Sequence, residues 1–310
     1  MRKFYLPKQQ FTQVDTLEPH TWVKVVQPTS EDIDYLCDEL GIPDSFIGDT
    51  ADSDERPRTE EEDGWRLTII RIPIETPEGT TPYNTVPIGV ISHLEKQLIV
   101  TICYHRTDLI PDFIQHNQRK GISVDTDIDF ILRLIMSSAV WFLKYLKQIS
   151  FLILETEEAL EKSIRNEDLL KLRNMQKSLV YFNTSIRGNE SLLVRLRTRF
   201  QNTGLVDRDL FEDVDIELQQ ALNTVKVYSD ILNGTMEAFV SIISNNLNVI
   251  MKRMTSISII LMVPTFIASL YGMNVHLPVA AMPWAFAFIV ALCVTLSAGA
   301  FFLFKRIKWF

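Results

Sequence analysis

The chain has 310 residues, 46% hydrophobic and 23% charged, a composition that excludes a predominantly disordered polymer and supplies one large or two modest cores. A formal charge of −8 at pH 7 argues against the basic face that phosphate backbones require, so no nucleic-acid partner is expected. Cys37, Cys103 and Cys293 form neither a CxxC pair nor an even framework, which excludes a secreted disulfide scaffold and reads as reduced packing thiols.

The opening MRKFYLPKQQFTQ contains no apolar run resembling a signal peptide, so the acidic body is expected to stay on the side where it is made. Residues 1–120 read as a cytosolic α/β domain. TWVKVV (Thr21 to Val26), WRLTIIRI (Trp65 to Ile72), TVPIGVIS (Thr85 to Ser92) and QLIVTICY (Gln97 to Tyr104) have the β-branched and aromatic content of strands. Thr29 and Ser30 before EDIDYLCDEL supply the N-cap of a short helix, with Glu31 and Asp32 suited to its positive end. The acidic stretch from Asp49 to Asp63 reads as a solvated loop, and it lacks the glycine and terminal Glu of an EF-hand.

Ten of the thirteen prolines lie at or before Pro111, and none lies between Pro111 and Pro264, which marks residues 121–250 as a stalk of long helices. One is expected from about Asp125 to Arg165 and a second from about Glu167 to Phe200, followed by a turn at Asn202, Thr203 and Gly204. A third begins near Asp207 and, if continuous to Tyr271, spans about 100 Å at 1.5 Å per residue.

Divided along the chain, the charge is uneven. The first 254 residues carry 28 cations against 39 acids, a net −11; Thr255 to Phe304 carries no charged residue; Lys305, Arg306 and Lys308 close the chain. Residues 251–310 therefore read as a transmembrane hairpin, with spans at about 251–272 and 284–304. Lys252 and Arg253 before the first span and the three cations after the second put both ends in the cytoplasm by the positive-inside rule, as a multi-pass protein of the cell (inner or plasma) membrane. Trp284 and Trp309 flank the second span as interface anchors.

Within the first span Asn248, Met251, Thr255, Ser258, Met262, Thr265, Ser269 and Gly272 are separated by steps of 3, 4, 3, 4, 3, 4 and 3, one face of a helix. A stripe of hydroxyls, amide and thioethers is a poor lipid surface and should face protein or water. Two readings follow: small and hydroxylated residues that let two helices pack, or the wall of a pore. Two spans cannot enclose a pore alone, so the second reading needs a symmetric homo-oligomer. Pro264 frees the carbonyl of Ile260 and is placed to bend the helix.

Directly after the first span stands Tyr271-Gly272-Met273-Asn274, then VHLPVAAMPW, a second span and KRIKWF. This order resembles the CorA family of magnesium channels and transporters, whose signature is Gly-Met-Asn at the outer end of the first of two C-terminal spans. The resemblance covers the whole architecture: an α+β cytosolic domain, long stalk helices and a two-span α-helical hairpin. It implies a funnel-shaped homopentamer in the lipid bilayer, with five first spans lining the pore and Gly272, Met273 and Asn274 forming a selectivity mouth. The family's pore positions fall on Asn248, Met251, Met254, Met262, Thr265 and Asn274, beside the Thr255, Ser258 and Ser269 of the stripe. Lys305, Arg306 and Lys308 would form a basic cytosolic ring.

Mg²⁺ would then be both the transported and the regulatory ion, with Co²⁺ and Ni²⁺ as further substrates and no resident cofactor. Neutral amide oxygens can accept hydrogen bonds from the waters of hydrated Mg²⁺ without stripping them, and rings of Met251 and Met262 suit dry constrictions. The resemblance further implies potential-driven influx restrained by cytosolic Mg²⁺ bridging carboxylates of neighbouring subunits. FEDVD (Phe211 to Asp215) matches the sensor segment and points to Asp213, with Glu75 as the candidate partner. Two departures stand out: VHLPVAAMP has no acidic residue, leaving His276 as the loop's one titratable group, and the α/β domain is compact for the family.

An enzyme is not expected, because the chain has no P-loop, GxGxxG, HExxH or recognisable Ser/His/Asp arrangement. The rivals are a zinc or other divalent-cation transporter of the same superfamily, and a membrane-anchored sensor or scaffold without transport. The polar stripe discriminates against an anchor, which needs no hydroxyl row.

Overall fold

Seven strands form one mixed sheet in the order β2-β1-β3-β7-β6-β5-β4: β1 (Arg2–Leu6), β2 (Thr12–Val14), β3 (Trp22–Val26), β4 (Arg58–Glu62), β5 (Trp65–Glu75), β6 (Tyr83–His93) and β7 (Leu98–Cys103). The computed structural model describes residues 2–77, 79–93, 95–163, 165–201, 203–204, 207–274, 282–307 and 309. It divides into two units, Met1–Gly234 and Thr235–Phe310.

In the first unit β3 and β7 pair in parallel and every other neighbouring pair is antiparallel. Every position of β7, and all but Arg71 and Glu75 of β5, is buried, because helices cover both faces of the sheet. One face carries Val23, Val25, Leu67, Ile69, Val100 and Ile102 against Phe46 and Ile47 of the short helix α2 (Asp44–Ala51) and against Leu36, in the turn that follows the short helix α1 (Ser30–Asp34). Thr29 caps α1 with the reciprocal bonds of a capping box, its hydroxyl accepting from Asp32 N–H and its own N–H donating to the Asp32 carboxylate. A single π turn, Tyr35–Glu39, continues that helix.

The opposite face meets α3 (Leu109–Lys120), α4 (Asp127–Lys162) and α5 (Asn166–Phe200). There Trp22 contacts Phe113 and Phe130 edge to face, with centroids 6.1 and 5.0 Å away, and its indole N–H donates to Thr101 Oγ1 at 2.9 Å. Gly121, with φ +62°, ends α3 in the left-handed conformation that favours glycine. Thr126 caps α4 by accepting from Asp129 N–H at 3.1 Å.

The long helices lie close to their expected bounds, and the third, α6, runs unbroken over Arg208–Tyr271. Of the expected turn, Thr203 and Gly204 are described, Gly204 with φ +73°, and Asn202 lies outside the described residues.

The acidic stretch Asp49 to Asp63 is a correction. Asp49–Ala51 complete α2, and Arg58–Glu62 form an edge strand paired with β5 from Arg58↔Ile69 to Glu62↔Trp65. Cations make this pairing tolerable: Arg58 bridges Asp49, Glu55 and Glu60, while Glu61 receives both Arg66 and Arg199 at 2.8 Å. The short strands β1 and β2 and the helices α2 and α3 are also additions to the elements expected from sequence.

The second unit holds the end of α6 and α7 (Ala285–Arg306), and among the described residues these are the two helices long and apolar enough to cross a membrane.

The three cysteines are free thiols. Burial pushes the Cys37 and Cys103 thiols up to about 11, so both are protonated packing groups at neutral pH.

Candidate functional site

Two faces of α6 differ in what they meet. Ser256 is buried, and Ile260, Val263, Pro264, Ile267 and Tyr271 are half-buried, at spacings that keep them on one side of the helix. On α7 the corresponding seam is Ala285, Ile289, Cys293, Ser297, Ala300 and Phe304, again the positions with reduced exposure. Small residues at several of these places let two helices approach in an apolar medium.

The polar stripe lies about 180° around α6 from that seam at 3.6 residues per turn. Asn248, Met251, Thr255, Ser258, Met262, Thr265 and Ser269 are all exposed in the single chain, as is Met254 beside them; Met262 has 66% of its surface free. The hydroxyls of Ser258 and Thr265 return to the carbonyls four residues earlier, Met254 and Leu261, at 2.9 and 2.8 Å. Their second lone pairs and the thioethers of the stripe are what an approaching partner or solvent would meet.

The helix closes where the Gly-Met-Asn triplet begins. Gly272 N–H donates to Ala268 and Ser269 carbonyls at 3.0 and 3.2 Å, and Met273 N–H to Leu270 at 3.3 Å. Gly272, Met273 and Asn274 are exposed. Gly272 has no positive φ, and a Cβ placed on it would meet nothing closer than 3.5 Å, so nothing within one chain requires glycine here. His276, the rest of the loop to residue 281, and Lys308 lie outside the described residues. Lys305 and Arg306 are exposed in the last turn of α7, as are Lys252 and Arg253 on α6.

In the first unit, FEDVD opens α6 with Phe211 and Val214 buried and Glu212 and Asp213 exposed. Arg197 of α5 fixes this turn, donating to the Phe211 carbonyl at 3.0 Å and lying 3.5 Å from the Asp215 carboxylate. Glu75 stands elsewhere, at the exposed end of β5 in a cleft of about 600 Å³ with Glu155, Asp168 and Lys171; Asp213 is not among its walls. The single chain does not bring the two expected sensor carboxylates together. Among the described residues no group of three or more His, Cys, Asp or Glu side chains is arranged to hold a metal ion.

One contact escapes the sequence pattern. Ser297 of α7 donates its hydroxyl to the carbonyl of Ile260 at 3.3 Å, the group left without its helical donor by Pro264. Pro264 marks the freed carbonyl in the sequence, but nothing around Ser297 marks it as the donor, because the two lie 37 residues apart.

Comparison with known proteins gives one consistent result. The family model described as CorA-like Mg2+ transporter protein matches residues 18–306. The chain is 27% identical over 293 residues to the cobalt/magnesium transport protein CorA of Methanocaldococcus jannaschii, covering 93% of this chain and 90% of that protein. The complete structure of the CorA magnesium transporter from the same organism superposes with a TM-score of 0.84 at 23% identity, covering 100% of this chain and 99% of that one. The ZntB cytoplasmic domain from Vibrio parahaemolyticus superposes with a TM-score of 0.60 at 14% identity, over 79% of this chain and 97% of that one.

Proposed function

The chain belongs to the CorA-like Mg2+ transporter family, and from that premise we propose that it is a membrane channel or transporter, not an enzyme, that passes Mg²⁺ into the cell through a homopentameric pore. The observation that carries this reading is the placement of the polar stripe. Asn248, Met251, Thr255, Ser258, Met262, Thr265 and Ser269 occupy the side of α6 opposite its own α7 and are exposed, as pore-lining groups of a symmetric assembly must be before the copies meet.

Each group then has a role. The Asn274 carboxamide receives the hydrated ion at the mouth, where Gly272 leaves room for five chains to converge. Thr265, Ser258 and Thr255 offer oxygens to its waters, while Met262 and Met251 form narrow apolar rings that pass the ion only when wetted. Met254 borders the inner end and Asn248 completes it. Lys305 and Arg306 anchor the hairpin on the cytosolic side, so both termini lie in the cytoplasm.

A divalent ion gains about 4.6 kcal/mol on crossing 100 mV, twice the single-charge value. At about 1.4 kcal/mol per decade, an unregulated pore would drive accumulation on the order of a thousandfold. Asp213, beside an anchored turn, and Glu75, at the end of β5, are both exposed in the single chain, and cytosolic Mg²⁺ bridging such carboxylates between neighbouring copies is the brake in this reading.

The test is influx of Mg²⁺, Zn²⁺, Co²⁺ and Ni²⁺ into proteoliposomes under an inside-negative potential. Mg²⁺ entry that falls at least tenfold in Asn274→Ala supports the reading. Absence of entry by every ion overturns it, and zinc entry that depends on a proton gradient replaces Mg²⁺ by the zinc-transporter alternative.

A further inference from the structure

We propose that Pro264 makes a hinge in α6 and that Ser297 is a positioning residue for ion passage, setting that hinge through its hydrogen bond to the Ile260 carbonyl. This role rests on the transport reading above.

In an α-helix the carbonyl of residue 260 is met by the N–H of residue 264, and proline has none. In hydrocarbon no water replaces it, so the carbonyl must find another donor or the helix must change shape there. The structure supplies one, at 3.3 Å, from the neighbouring helix. Ser297 behaves unlike other hydroxyls of the two spans: Ser256, Ser258, Thr265 and Thr295 each donate to the carbonyl four residues earlier in their own helix, at 2.7 to 2.9 Å. Ser297 reaches across.

Its position gives the bond leverage. Pro264 lies in sequence between Met262 and Thr265, which point to the opposite, exposed side of α6. A change of hinge angle at Ile260–Pro264 therefore shifts Met262 relative to Thr265, and with it the constriction and the oxygen ring next to it. By occupying the freed carbonyl, Ser297 selects one hinge angle and makes α7 follow the hinge when it moves. Without the hydroxyl the hinge samples several angles, the copies around a pore lose their common alignment, and fewer pores conduct. Capture at Asn274 is remote from the hinge and is unaffected.

The experiment is a double-mutant cycle in the full-length protein between Ser297→Ala and Pro264→Ala, because alanine at 264 restores the missing N–H and makes the serine dispensable. Two readouts are taken: Mg²⁺ influx into proteoliposomes over a range of outside concentrations, and the thermal midpoint in detergent. In the wild-type background Ser297→Ala is expected to lower maximal influx at least threefold, with the half-saturating concentration unchanged within twofold, and to lower the thermal midpoint. In the Pro264→Ala background the same change is expected to alter influx by less than 1.5-fold and leave the midpoint in place. Ser297→Thr, which keeps the donor, should restore influx to within twofold of wild type.

Equal effects of Ser297→Ala in both backgrounds, or none in the wild type, overturn the proposal. A wild-type protein that passes no ion overturns the transport reading and this role with it, and the thermal cycle then still reports whether the bond exists.

Discussion

The side-chain amide of Asn189 holds both backbone polar groups of Arg71: its Oδ1 accepts from the Arg71 N–H at 2.9 Å, and its Nδ2 donates to the Arg71 carbonyl at 2.7 Å. The need arises from the sheet. β4 ends with Arg58 opposite Ile69, so the β5 edge is open from there on, and Arg71 faces Pro87 on its other side. One fully buried asparagine of α5 therefore takes the place of a strand, and Ser178 treats Tyr83 similarly, accepting from its N–H at 3.2 Å and donating to its carbonyl at 2.7 Å.

Asn189→Ala leaves a buried donor and a buried acceptor unsatisfied and should destabilise the first unit by about 2–4 kcal/mol. Denaturation of the purified full chain followed by tryptophan fluorescence checks this; a loss below about 1 kcal/mol would show that the pairing is dispensable.

Gly89 lies on the face of β6 that meets α2, where a Cβ would overlap Thr50 Cγ2. Thr50 is buried, and its hydroxyl is tied to the Ile47 carbonyl at 2.8 Å, so it cannot turn away freely. Gly89→Ala should cost about 1–3 kcal/mol, and Thr50→Ser, which removes the overlapping methyl, should recover most of it. Failure of the second change to rescue the first in a thermal melt would place the strain elsewhere.

Glu61 links β4 to β5 and α5. Partial burial pushes its carboxyl up, but hydrogen bonds and charge from Arg66 and Arg199 outweigh this and leave it below its ordinary value of 4.5. A carboxylate lowered in the folded state contributes stability above its unfolded pKa and loses it as pH falls through the folded value. The thermal midpoint of wild type should therefore fall more steeply below pH 4.5 than that of Glu61→Gln. Arg66 is buried, but Glu61 and Arg199 reach solvent with side-chain exposures of 32% and 51%, and screening there should hold the difference to about 1 kcal/mol. Parallel curves would remove Glu61 from the acid response.

Asp213→Ala should leave maximal Mg²⁺ influx within twofold of wild type while raising the inside Mg²⁺ concentration needed to halve it. The flux assay used for Asn274→Ala measures both. Unchanged inhibition would take Asp213 out of the sensor role and leave the pore reading intact.

What the sequence made legible follows from the length of each signal. The long helices and the two apolar ones are spelled out over dozens of residues without proline or, at the end, without charge, and their bounds in the structure differ little. RTEEE at Arg58–Glu62 reads as loop because its side chains carry charge at nearly every position, and its strand identity comes from partners supplied by β5 and α5. The polar stripe is written in spacing alone, so its residues can be named from sequence, whereas its free side becomes visible only once α7 is seen on the other. Ser297 has no periodic signature, since its meaning depends on a carbonyl 37 residues away. Asp213 and Glu75 are ordinary surface carboxylates within one chain, and any pairing between copies is not encoded in intrachain contacts.

The joint between β3 and β7 bears on how the chain acquires its structure. Trp22 and Thr101, bonded across it, are 79 residues apart in sequence, and closing a flexible loop of that length costs about 4 kcal/mol of chain entropy before any contact rewards it. Strands β1 to β3 are thus made long before the partner that completes the centre of the sheet. Until β7 arrives, the apolar alternation of WVKVV is an open edge able to pair with another nascent chain. The first unit should accordingly fold slowly for its size, and the yield of assembled protein should depend on how well that edge is shielded during synthesis.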